Sequence, residues 1–149
     1  MNGCRGFTLI EMMCVIAILG IILSISYPSI EGHLKVKSRL NTRLLTEQLL
    51  FDIRYVRQQN INDAGVKYTL YLFDNHYVIK KSGDRLPVIL KTVNVPYGIT
   101  LSSNMAEISR NGIYFSATGA PSSAGSIYIN RMYTITIQPS TGRALIKKL

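Results

Sequence analysis

Residues 12–30, MMCVIAILGIILSISYPSI, carry no charged side chain. Such a run of 19 is close to the roughly 20 residues that cross the hydrocarbon of a bilayer. It is too apolar for the buried helix of a small domain, since Gly20 and Ser24 are the only Gly or Ser between residues 12 and 25. A secretory signal peptide would need a small-residue cleavage site, and Ser24-Ile25-Ser26-Tyr27-Pro28 is a weak one. A membrane anchor fits best. It leaves unexplained the carboxylate of Glu11 at the head of the run, and the sequence GFTLIE around it.

The remaining 119 residues, 31–149, suit one small domain. Hydrophobic residues make up 47% of the chain, which excludes a wholly disordered protein. Both cysteines, Cys4 and Cys14, lie in the first 14 residues, so the body has no disulfide framework and no Cys-based metal site. With only His33 and His76 besides, no metal and no cofactor is expected. There is no Gly-rich phosphate loop and no GxSxG elbow, and neither histidine sits in a catalytic motif, so the chain does not read as an enzyme. His33 reads as an exposed side chain near the membrane, His76 as a strand residue, and Cys14 as a small apolar filler.

Residues 32–60 are rich in Leu, Gln, Arg and Glu and lack Pro, a composition that favours helix. Gly65 marks its stop. At 100° per residue the apolar positions form two stripes rather than one. Leu40, Leu44 and Phe51, with Val36, point one way; Leu45, Leu49, Ile53 and Val56 point the other. Either the helix is buried in a larger core, or one stripe packs on the protein's own sheet and the other on neighbouring subunits. Joined to the anchor, residues 8–60 would form a stalk of about 80 Å at 1.5 Å per residue.

From Val66 the apolar period becomes two. Residues 66–73 and 76–80 read as strands joined by a tight turn at Asp74-Asn75. Further strands are expected at 88–95, 99–102, 113–116, 126–130, 133–138 and 143–148, the last two separated by the turn Pro139-Ser140-Thr141-Gly142. The fold class is therefore α+β, a long N-terminal helix on an antiparallel sheet domain of one sheet or two.

The left-over residues carry a resemblance. Gly6-Phe7-Thr8-Leu9-Ile10-Glu11 resembles the processing site of type IV prepilins and type II secretion pseudopilins. The resemblance implies cleavage by a prepilin peptidase between Gly6 and Phe7, N-methylation of Phe7, an assembly role for Glu11 and a helix kink at Pro28. It divides the chain into a leader at 1–6, which takes Cys4 with it, a transmembrane helix at 7–30, a helical stalk at 31–62 and a β-rich globular domain at 63–149. The basic residues Lys35, Lys37, Arg39 and Arg43 after the anchor would by charge alone keep the body in the cytoplasm. The family's orientation is the opposite, a single pass through the cytoplasmic membrane with the body outside.

Residues 113–121, 125–129, 134–137 and 141–143 resemble the C-terminal domain of GspH/FimT-type minor pseudopilins, a pattern shared by competence pseudopilins. The implied function is that of a minor pilin in a pilus, competence or secretion filament. The implied partners are the peptidase, other major and minor pilins, an inner-membrane platform protein and membrane lipid.

A second function is DNA binding in uptake. Beyond Glu31 there are 16 Lys and Arg against 6 Asp and Glu, so this part carries 16 minus 6, or +10. Some GspH/FimT-type proteins are thought to touch DNA through a C-terminal Gly-Arg followed two residues later by another Arg. Arg143 matches; Leu145 stands in the second place, and Lys147 and Lys148 follow. A basic surface facing anionic lipid or cell wall is the plainer account of the same charge.

Overall fold

The fold is that of a computed structural model describing residues 7–26, 29–63, 65–83, 86–105 and 108–149, with residues 26 and 29–34 described by backbone alone. Two compact units result, Met1–Lys37 and Ser38–Leu149. Gly6, Pro28 and Cys4 lie outside the described residues, and with them the cleavage junction and the expected kink.

Helix α1 is Leu9–Ser26 and helix α2 is Ser29–Asn62. Within the first unit every side chain over 7–25 is exposed, including Leu9, Ile16, Leu23 and Ile25. A helix apolar on all sides belongs in a large core or in lipid. The expected span, 7–30, runs through positions 27 and 28, outside the described residues. Among the described residues no helix is long and apolar enough to cross a membrane. The 18 residues of α1 alone rise about 27 Å, short of a hydrocarbon core of about 30 Å.

In the second unit two antiparallel sheets share a core with α2. The first holds β1 (Lys67–Leu72), β2 (His76–Ser82) and β3 (Val88–Asn94) in that order. The second holds β4 (Leu101–Ser103), β5 (Gly125–Ile129), β6 (Tyr133–Ile137) and β7 (Ala144–Lys148). The four-residue helix α3, Ile108–Asn111, lies in the long connection between β4 and β5.

The core gathers Leu45, Leu49, Ile53 and Val56 from α2 with Leu70 and Ile79 from the first sheet and Ile127, Ile129, Ile135 and Ile137 from the second. The opposite stripe stays open: Leu40, Leu44 and Phe51 are 53%, 54% and 68% exposed, and Val36 is exposed as well. Of the two expected arrangements, burial in a larger core is therefore wrong for this chain, and the second stripe is left exposed among the described residues. The end of α2 is held by buried Asn60. Its amide oxygen accepts from the Tyr68 N–H at 2.9 Å, and its amide nitrogen donates to the Tyr68 carbonyl at 2.7 Å. Gly65 follows with φ +94°, beyond the reach of most side chains.

One expected strand does not form. Residues 113–116 make only isolated bridges, Leu70 with Ile113 and Phe115 with Pro121. The reason is local: the chain turns back at once, with Ser116 N–H donating to Ala120 O and Gly119 N–H to Ser116 O, both at 2.8 Å. Arg143 falls in the turn before β7 rather than in the strand itself.

Candidate functional site

The N-terminal signal has a defined geometry from Phe7 onward. Thr8 caps α1: its hydroxyl accepts from the Glu11 N–H at 3.3 Å, and its carbonyl accepts the same N–H at 3.1 Å. The Glu11 carboxylate reaches back to the Thr8 N–H at 3.4 Å and the Thr8 hydroxyl at 3.5 Å. This is a reciprocal capping box, Thr-x-x-Glu, and it places the carboxylate at the positive end of the helix. The spacing was readable in Thr8-Leu9-Ile10-Glu11 ahead of an apolar run, yet Glu11 was assigned only an assembly role and its cap was missed. Phe7 is 76% exposed. Cys14 is an exposed free thiol.

A second site lies wholly in the other unit, along the seam between α2 and β7. One hollow of about 590 Å³ is lined by Arg54, Arg57, Gln58, Gln138, Arg143 and Leu145 among others, and no carboxylate lines it. Arg54 donates to the Ala144 carbonyl at 3.3 Å. The Nε of half-buried Arg57 donates to the carbonyls of Gly119 at 3.3 Å and Thr141 at 3.2 Å. Two glycines permit this approach. Gly142 has φ +63°, and a Cβ there would overlap the Gly119 carbonyl. Gly119 has φ +84°, and a Cβ would meet the Arg57 guanidinium at 2.7 Å. A second hollow of about 340 Å³ on the same seam is lined by Arg43, Thr46, Glu47, Tyr133, Ile146 and Lys148. Arg43 pairs there with Glu47 at 2.9 Å.

This geometry redistributes the residues expected to contact DNA. Arg143 enters the first hollow and Lys148 the second, whereas Lys147 lines neither. Lys147 pairs with Thr134 and stands one strand position from Lys148, so it projects from the opposite face of the sheet. Arg54 and Arg57 were missed in the sequence. Their spacing on the same helical face as Arg43 was visible, but nothing local indicated that β7 would lie beside it.

A buried polar cluster was also missed. Asp52 lies among core residues of α2 and accepts from the Tyr77 hydroxyl at 2.6 Å and from Lys91 Nζ at 2.7 and 2.8 Å. Burial, then the hydrogen bond and charge of Asp52, push the Tyr77 phenol far above its usual range. The cluster joins the helix to β2 and β3, and Asp52 and Lys91 also line a hollow of about 270 Å³ with Phe51, Tyr55, Ile79 and Leu90. His76 begins β2, stacked on Phe73 at 4.5 Å. Among the described residues no group of three or more His, Cys, Asp or Glu is placed to hold a metal ion.

Residues 1–27 match the model of the prokaryotic N-terminal methylation motif, the type IV prepilin-like signal. That match supports a type IV pilin-like protein processed by prepilin peptidase. No curated protein and no solved structure matches the chain.

Proposed function

We propose that this chain is a minor pilin or pseudopilin of the GspH/FimT type, a structural subunit of a type IV pilus-like filament rather than an enzyme. The observation that carries the reading is the methylation motif over 1–27, which includes helix α1 with its apolar side chains exposed all round. Prepilin peptidase cuts between Gly6 and Phe7, and the new Phe7 amine is methylated. Residues 7–30 then hold the subunit in the cytoplasmic membrane, with the body outside, until it joins other pilins at an inner-membrane platform protein. The exposed α2 stripe of Leu40, Leu44 and Phe51 faces those neighbours.

An ionised carboxylate within hydrocarbon costs at least about 2.5–3.5 kcal/mol. The capping box offsets part of that for Glu11 in the lone subunit. In the filament, the carboxylate of an incoming subunit pairs with the Phe7 amine of its neighbour and fixes axial register. Gly6→Glu is expected to leave an unshortened precursor, seen by immunoblot. Glu11→Leu is expected to be cut normally but to enter filaments at least about tenfold less, a difference of roughly 1.4 kcal/mol. Wild-type incorporation of processed Glu11→Leu would remove the pairing from the mechanism.

A second reading, DNA binding during uptake, is favoured by the three arginines that line one hollow without a carboxylate. Like charges brought this close are stabilised by an anion between them.

A further inference from the structure

We infer that the seam between α2 and β7 is a track for the phosphodiester backbone of a single nucleic-acid strand. The inference rests on the DNA-binding reading and locates its site. Arg43, Arg54 and Arg57 lie on one face of α2, and the 14 steps from Arg43 to Arg57 rise about 21 Å. β7 runs beside them in the opposite sense. Lys148 stands at the Arg43 end, and Arg143 at the Arg57 end. Five cations therefore follow one line, and among the residues that line the two hollows the one carboxylate is Glu47, already paired with Arg43.

The donors are arranged for phosphate. Arg57 is fixed through its Nε by the carbonyls of Gly119 and Thr141, which holds its guanidinium plane without a countercharge. A planar guanidinium held in this way is pre-organised for phosphate oxygens. Carbonyls supply only partial charge, so the hollow retains its positive field. The phosphate ridges of a duplex would reach exposed Arg143 and Lys148, but half-buried Arg57 lies within the hollow, open to one extended strand. Half-buried Tyr133 lines the Lys148 end while also packing against the core. An aromatic ring beside a basic groove is the usual equipment for holding a single strand by stacking.

The test exploits two adjacent lysines. Full-length protein in detergent micelles is titrated against a fluorescent 20-mer oligothymidylate by anisotropy, between about 50 and 200 mM salt. Arg143→Gln and Lys148→Gln are each expected to weaken binding about threefold or more and to lower the salt slope by about 0.7. Lys147→Gln removes the same charge one residue away and is expected to stay within about twofold of wild type. Thermal melts of all three confirm that they fold. Equal losses for Lys147→Gln and Lys148→Gln, with wild type binding, would mean that net charge alone acts and that the track is wrong while DNA binding stands. Tighter binding to the matched duplex would overturn the single-strand assignment. No retention of either probe by wild type at the lowest salt would overturn the DNA-binding reading together with the track.

Discussion

Asp52 shows how a single buried carboxylate can be tolerated in so small a core. Burying it unpaired would cost several kcal/mol, and the Tyr77 hydroxyl and Lys91 ammonium together supply the partners. Tyr77→Phe leaves Asp52 with Lys91 alone and is expected to cost about 1–3 kcal/mol in urea unfolding. The same residue sets a pH dependence. The phenol is raised in the folded chain, so its contribution is fully present below the unfolded value near pH 10 and is lost as pH climbs through the higher folded value. Wild type is therefore expected to lose stability above about pH 10 more steeply than Tyr77→Phe. Parallel curves for the two proteins would show that Tyr77 does not carry the effect. None of this was legible in the sequence, because Asp52, Tyr77 and Lys91 meet only after α2 packs across β2 and β3.

Helix α2 is the element the sequence described best. Its two apolar stripes follow from the 3.6-residue period, and the structure buries one and leaves the other open. Leu49→Asp places a charge at a fully buried site and is expected to cost about 4 kcal/mol or more, enough to abolish cooperative unfolding. Phe51→Asp, two residues on, is expected to change stability by less than about 0.5 kcal/mol while reducing filament incorporation. Equal destabilisation by both would contradict the division of faces. The strands at 67–72, 76–82 and 133–137 were equally legible, since alternation and a short turn define them locally. The segment 113–116 was not. Ile113 and Phe115 have the β-rich composition of a strand, but their partners, Leu70 and Pro121, are an isolated bridge and a loop residue. The Thr8–Glu11 box was legible and overlooked, whereas the seam along β7 depends on a pairing across about 90 residues.

At the scale of the whole molecule, the division at Lys37 and Ser38 has a direct consequence. The core cluster begins at Leu45 and takes nothing from the first unit. A chain comprising residues 38–149 is therefore expected to melt cooperatively, within about 5 °C of the full-length protein, with the near-ultraviolet signal of a fixed tyrosine environment. A gradual, non-cooperative melt would show that the first 37 residues are needed for the fold. What that first unit contributes instead is legible almost entirely from sequence. A cleavage motif and an apolar run are linear signals, whereas an arginine hollow is assembled from parts far apart in the chain.

The edges of the two sheets differ in a way that bears on how copies of this protein can accumulate. β7 ends its sheet, and Arg54 occupies the Ala144 carbonyl that an added strand would otherwise use. β1 is partly covered by the bridge from Ile113, and β4 is only three residues long. Among the described residues β3 has no such cover, and its Val88, Ile89 and Leu90 are exposed. Unlimited stacking by strand addition needs two receptive edges on each molecule. With β7 capped at Ala144, β1 partly covered and β4 short, β3 is the edge best placed for strand pairing, and pairing through that edge alone ends at a pair. Under the proposed pairing of Glu11 with the Phe7 amine, growth of any longer array would be left to the helices, with register set by charge rather than by backbone adhesion.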